Sequence, residues 1–208
     1  MTQPIVYVVD DDDDLRNAII RALDLNGYSA EGFSSAESFL EAGISGHGCI
    51  LLDVRMAGMS GFQLQELLMA REFTPPIVFL TGHADIPSTV TAMKLGASNI
   101  LTKPVSTELL LQAVEAAILE SSNHLQGRLK VKDVQNRYET LTQREREVYE
   151  LVIRGRLNKQ IAYELGTTER TIKAHRHQVM SKMGAVTVQN LMHTANILGK
   201  LESAEEGL

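Results

Sequence analysis

Five aspartates in succession, Asp10 to Asp14, follow the apolar run Ile5-Val6-Tyr7-Val8-Val9, and a second apolar run, Cys49-Ile50-Leu51-Leu52, ends on Asp53. In an open parallel α/β sheet, ligands gather beyond the carboxyl ends of the strands, so Asp10, Asp11 and Asp53 converge if these two strands are neighbours. Carboxylates that close repel one another. A hard divalent cation with oxygen ligands, Mg²⁺ for preference, resolves that conflict and also orients a phosphoryl group. Two further polar residues stand at the ends of strand-like segments: Thr81 after Ile77-Val78-Phe79-Leu80, and Lys103 after the short Asn99-Ile100-Leu101-Thr102.

The elements that must position these residues alternate along the chain. Leu15, Ala18, Ile19, Ala22 and Leu23 form one apolar helical face that Asn26-Gly27 stops. Ser34-Ser35-Ala36-Glu37 offers a capping box for a helix through Phe39 and Leu40, and Phe62 to Arg71 reads helical. Pro87 opens another helix, ending near Leu95-Gly96, and Leu109, Leu110, Ala113, Val114, Ala117 and Ile118 mark a fifth. Five β-α units within residues 1–120 predict a five-stranded, doubly wound parallel sheet.

Beyond residue 120 the pattern changes. Residues 121–140 are polar, with Leu125, Leu129, Val131 and Val134 as apolar exceptions, and read as a helical linker weakened at Gly127. Residues 141–200 carry only helical signals. Thr142 to Glu145 is a capping box, Asn158 is the expected cap of a short second helix, Gly166-Thr167 is a tight turn, Thr168 caps a third helix and Thr187 a fourth. Two short helices joined by a glycine turn have the sequence form of a helix-turn-helix.

Charge divides the chain in the same place. Residues 1–120 carry 16 acidic and 6 basic side chains, whereas residues 121–200 carry 7 acidic and 14 basic, and an acidic tail, 201–208, closes the chain. The second part is suited to a polyanion and the first is not. The single cysteine, Cys49, excludes an internal disulfide and fits a reducing cytoplasm. No leader and no apolar run of membrane-spanning length is expected.

Val8-Val9-Asp10-Asp11, Leu52-Asp53-Val54-Arg55-Met56, Leu80-Thr81-Gly82 and Thr102-Lys103-Pro104 resemble the receiver domain of bacterial two-component response regulators. Leu141 to Glu145, Asn158 to Ala162 and Thr171 to His175 resemble the LuxR-type DNA-binding domain. Together they resemble the FixJ/NarL-type response regulators. The long linker and the Thr81-Gly82-His83-Ala84-Asp85 segment lean toward FixJ and toward StyR and TodT, regulators of styrene and toluene catabolism.

The resemblance implies that Asp53 is the phosphoacceptor. Asp10, Asp11, Asp53 and the backbone carbonyl of Arg55 would hold Mg²⁺ or Mn²⁺, and Thr81 and Lys103 would grip the phosphoryl oxygens. Such roles suit the chemistry, since a carboxylate nucleophile needs the charge on the transferring group neutralised. Asp12, Asp13 and Asp14 are read instead as the start of a helix. Two positions depart from the family pattern. Ile100 stands where an aromatic residue usually reports phosphorylation, which leaves the switch to Thr81 and the loop after it. Ala57 replaces a common proline and is expected to loosen the loop beside Asp53.

In the second domain the third helix would enter the major groove, with Lys173, Ala174 and His177 outward and Arg170 and Arg176 toward the DNA backbone. Asn158, Lys159, Thr168 and Thr171 are placed for phosphate contacts. His175 is as suited to packing as to DNA. The implied partners are a sensor histidine kinase, double-stranded promoter DNA, RNA polymerase and a second copy of the chain through the last helix, with no membrane. The implied function is phosphorylation-driven dimerisation and activation of transcription, with no turnover of a metabolite, so the chain is not expected to be an enzyme.

Other readings are weaker. A phosphohydrolase of the haloacid dehalogenase type needs an aspartate where Arg55 stands. An EF-hand beginning at Asp10 needs Gly and Glu where Leu15 and Arg21 stand. A receiver that never takes phosphate is at odds with the complete set of Asp10, Asp11, Asp53, Thr81 and Lys103. His47, His83 and His193 show no metal-ligand spacing.

Overall fold

The computed structural model describes residues 3–44, 47–70, 75–82 and 96–200. The chain divides into two compact units, Met1–Leu125 and Gln126–Leu208. The expected helix from Pro87 to Leu95, the segment His83 to Asp85 and the acidic tail lie outside the described residues.

In the first unit, strands β1 (Ile5–Val9), β2 (Ser29–Phe33), β3 (Gly48–Asp53), β4 (Ile77–Thr81) and β5 (Asn99–Thr102) form one parallel sheet in the order β2-β1-β3-β4-β5. This is the five-stranded parallel architecture expected from the sequence. β1, β3 and β4 are central and buried on both faces, which is why each reads as an unbroken apolar run. One face of the sheet packs Tyr7, Phe33, Phe39, Ile50, Leu52 and Phe79, and the other packs Val8, Leu23, Leu51, Leu80, Leu110 and Val114.

Among the described residues, α1 (Asp13–Leu25), α2 (Ala36–Glu41) and α3 (Gly61–Met69) flank the sheet, together with the start of the helix that follows β5. Asp12 is the N-cap of α1 and accepts from the N–H groups of Asp14 and Leu15, with Asp13 and Asp14 in the first turn. Carboxylates are favoured there by the positive end of the helix dipole. The capping box of α2 differs from the one expected: it joins Ser35 to Ser38, and Glu37 turns away to accept from the Met59 N–H at 3.2 Å.

Helix α4 runs from Thr107 to Glu139, through Gly127 without a break. Its early residues Leu110, Ala113, Val114 and Ala117 belong to the core of the first unit. The later residue Val134 belongs to the core of the second, where Tyr138 also packs. The second unit continues with α5 (Gln143–Ile153), α6 (Asn158–Glu164), α7 (Glu169–Met183) and α8 (Val188–Ile197), around a core that includes Val148, Tyr149, Ile161, Ile172, Val179, Met183 and Leu191. Thr142, Thr168 and Thr187 cap their helices as expected, and Gly184 ends α7 with φ of 65°. The cap of α6 is a correction. Asn158 is the first helical residue, the N-cap is Leu157, and the Leu157 side chain offers no acceptor. Among the described residues, no helix is long and apolar enough to cross a membrane.

Candidate functional site

Parallel pairing places β1 beside β3, with Val9 opposite Leu52. The residues that follow, Asp10 and Asp53, therefore meet at the carboxyl edge of the sheet, where Asp10 is fully buried and Asp53 is 7% exposed. β4 and β5 bring the third and fourth groups, with Thr81 opposite Thr102 and the Lys103 N–H donating to the Thr81 carbonyl at 2.7 Å. The Lys103 ammonium reaches back to Asp10 Oδ2 at 2.8 Å and Asp53 Oδ2 at 2.9 Å. Asp10, Asp11 and Asp53 each offer an oxygen within 4.8 Å of the others.

Further bonds fix this geometry. Asp10 Oδ1 accepts from the Asp12 N–H at 3.0 Å, and the Asp10 carbonyl accepts from Arg16 at 2.7 Å. Asp53 Oδ1 accepts from the Arg55 N–H at 3.4 Å. α3 can begin close behind Asp53 because residue 61 is glycine: a Cβ there would stand 2.2 Å from the Asp53 carbonyl oxygen.

The electrostatics follow from burial. Loss of water alone pulls the Lys103 ammonium down, but its hydrogen bonds to Asp10 and Asp53 outweigh that, and its pKa lies above the usual lysine value. Burial pushes Asp53 up; Lys103 pulls it down, neighbouring Asp10 adds to the rise, and the net is above the usual aspartate value. Lys103 gains two carboxylates, whereas burial outweighs for Asp53 the one ammonium that it shares with Asp10. Lys103 bonds Asp10 and Asp53 while Asp11 stands beside them, so three carboxylates meet a single ammonium. An all-oxygen, carboxylate-rich donor set fits Mg²⁺ or Mn²⁺.

Ile100 lies on β5 opposite Phe79, half-buried against the apolar face that carries Phe79. Ala57 departs from expectation. Its loop is tethered rather than loosened, because the Ala57 N–H donates to Asp11 Oδ2 at 2.8 Å. A proline has no such donor.

In the second unit, Arg170, Thr171, Lys173, Ala174 and His177 are exposed on α7, His175 and Arg176 are half-buried, and Thr168 precedes the helix as its exposed cap. Lys159 is exposed on α6. Arg176 donates to the Asn158 side chain at 2.9 Å, so these two residues join α7 to α6. Lys173, Arg176, His177 and Met180 of α7, with Val186 beyond its end, line an open depression.

Two buried aspartates bridged by lysine at the edge of a five-stranded parallel sheet, together with an exposed cationic helix in a helical unit, define a class. The family model of the response regulator receiver domain matches residues 6–115, and that of the luxR family of bacterial regulatory proteins matches residues 139–195. The chain belongs to the two-component response regulators that carry a receiver and a LuxR-type DNA-binding domain, and it is a transcription regulator. It is 40% identical over 195 residues to the response regulator TodT of Pseudomonas putida, covering 93% of this chain and 86% of that one. It is 39% identical over 195 residues to the transcriptional regulatory protein FixJ of Azorhizobium caulinodans, covering 93% and 92%. A solved structure of the response regulator StyR is similar over 94% of this chain and 99% of that one, with 43% identity and a TM-score of 0.83.

Proposed function

We propose that Asp53 accepts a phosphoryl group from a sensor histidine kinase in a Mg²⁺-dependent reaction, and that phosphorylation drives dimerisation and activating binding to promoter DNA in the cytoplasm. The observation that carries this reading is the Lys103 ammonium held between Asp10 and Asp53 at 2.8 and 2.9 Å. Asp10, Asp11, Asp53 and the Arg55 carbonyl would hold the cation, which when bound polarises the phosphoryl oxygens and offsets their charge. The Asp53 carboxylate is the nucleophile. Lys103 and the Thr81 hydroxyl then hold two of the phosphoryl oxygens, a change of partner for Lys103 that shifts the receiver's population toward the dimerising state.

The functional division follows the sequence: receiver 1–120, linker 121–140, DNA-binding domain 141–200 and tail 201–208. Lys173, Ala174 and His177 read bases, while Lys159, Thr168, Arg170, Thr171 and the Asn158–Arg176 pair face phosphates. α8 serves dimerisation, and RNA polymerase is engaged from the DNA-bound dimer. The receiver catalyses only its own modification.

The test is the intact mass of the full chain after incubation with acetyl phosphate, with and without Mg²⁺, beside Asp53→Asn. One phosphoryl adduct that requires Mg²⁺ and is absent from the variant supports the reading. No adduct from acetyl phosphate or from a panel of histidine kinases would make the receiver a phosphate-independent module.

A further inference from the structure

We propose that the backbone N–H of Ala57 is a positioning group for the cation site, holding one oxygen of Asp11 so that the carboxylate stays turned toward Asp10 and Asp53. The inference rests on the reading of these three aspartates as the Mg²⁺ site.

Of the three, Asp10 and Asp53 are buried and fixed by neighbouring donors, but Asp11 is exposed. An exposed carboxylate beside two buried ones is repelled by them and favoured by water, so without a restraint it turns outward. The Ala57 N–H, 2.8 Å from Asp11 Oδ2, opposes that turn. The bond leaves the group its place in the cluster, since all three aspartates still offer oxygens within 4.8 Å of one another.

The donor is itself held from both sides. The Met59 N–H donates to Glu37 Oε1 at 3.2 Å, and the Gly61 N–H donates to the Val54 carbonyl at 3.1 Å. Glu37 is drawn below the usual carboxylate value by backbone N–H groups, first its own and then that of Met59, so it accepts as an anion. Carboxylates from the β1–α1 connection and from α2 thus fix the loop that follows Asp53. A backbone N–H aimed at a ligand oxygen acts as outer-shell partners do, by fixing the ligand's orientation before the ion arrives. A proline at position 57 would delete this donor and leave Asp11 to the repulsion of its neighbours.

The experiment titrates the full chain with MgCl₂ and follows backbone amide shifts by NMR for the natural sequence, Ala57→Gly and Ala57→Pro. Ala57→Gly keeps the N–H and keeps the affinity, whereas Ala57→Pro raises the Kd for Mg²⁺ about tenfold. Equal affinity in all three overturns the positioning role while leaving the cation site intact. A natural chain whose pocket amides do not respond to Mg²⁺ overturns the site and this inference with it. A second readout needs neither metal nor proline: in metal-free protein the Ala57 amide is protected from hydrogen exchange, and Asp11→Ala removes that protection. Protection that survives Asp11→Ala overturns the proposal.

Discussion

Lys103 is the residue on which the receiver pocket depends in the absence of a cation, because it alone among the described residues is bonded to both Asp10 and Asp53. Replacing it with methionine keeps most of the apolar stem and removes the ammonium, which leaves two buried carboxylates uncompensated. Lys103→Met should therefore cost the metal-free receiver about 3 kcal/mol, the usual size for breaking one side of a buried pair. If the three aspartates hold Mg²⁺ as proposed, the ion should restore part of that loss, because a ligand of the folded carboxylates alone stabilises the folded state. Hydrogen exchange of the β3 amides, measured with and without MgCl₂, reads both effects; a variant as stable as the natural chain without Mg²⁺ would show that the lysine is not balancing the pocket. Cys49 gives a complementary prediction at the same strand. It is fully buried, and burial pushes its thiol up to about 12. The thiolate is the reactive form, so at neutral pH Cys49 should resist a thiol reagent in folded protein and react completely in denaturant. Rapid labelling of the native chain would mean that β3 opens.

At the level of elements, α6 carries a correctable defect. Its N-cap, Leu157, is 68% exposed and supplies no acceptor, and only the reverse half of a capping box is present, with the Leu157 N–H donating to Gln160 at 2.8 Å. Leu157→Ser should stabilise the second unit by about 1 kcal/mol, the ordinary contribution of a serine cap, visible as a higher urea midpoint with an unchanged m-value. α5 supplies a pH prediction. Burial raises the Glu145 pKa, but the Lys182 ammonium at 2.6 Å, with the Thr142 bonds, outweighs it and holds the group below 4.5. A carboxylate with a depressed folded value stabilises above its unfolded value and loses that contribution as pH falls through the folded one. The second unit should thus lose stability as pH drops below about 4.5, and Glu145→Gln should flatten that dependence. The same elements show what was legible in the sequence. Central strands buried on both faces gave continuous apolar runs, and the groups at their ends were found with them. β2, Ser-Ala-Glu-Gly-Phe, is a partly exposed edge strand whose composition carries no such run, so it was counted but not located. The α6 cap was placed one residue late because a leucine stands where a polar residue belongs. The bond from Ala57 to Asp11 was not legible at all, since it depends on the path of a loop and on a donor every residue but proline has.

For the whole molecule, the continuity of α4 changes how the two units are to be separated. Gly127 costs a helix about 1 kcal/mol relative to alanine, and Leu125, Gln126, Arg128, Leu129 and Lys130 around it are all good helix formers. The last turns of α4 serve the second unit: Val134 is 7% exposed in its core, and Tyr138 packs beside it, with its ring faced by Lys200 at 4.0 Å. A fragment beginning at residue 136 would omit Val134, so the DNA-binding unit should be tested as residues 126–208. The charge division then sets the expected behaviour. Residues 1–120 carry ten more acidic than basic groups and residues 121–200 seven more basic than acidic, so the receiver's charge is expected to oppose the approach of DNA. Without phosphorylation, residues 126–208 should bind non-specific DNA more tightly than the full chain at low salt. If the receiver acts only through its field, the difference should vanish as salt shortens the screening length to about 10 Å near 0.1 M. If the receiver instead covers the DNA-binding face, the difference should persist at every salt concentration. Equal affinity at low salt would remove the receiver's opposition altogether. With a selected specific site measured beside the non-specific DNA, Lys173→Ala separates reading from holding: loss confined to the specific site, with an unchanged salt slope, assigns Lys173 to a base, whereas equal loss on all sequences with a slope smaller by about one assigns it to a phosphate.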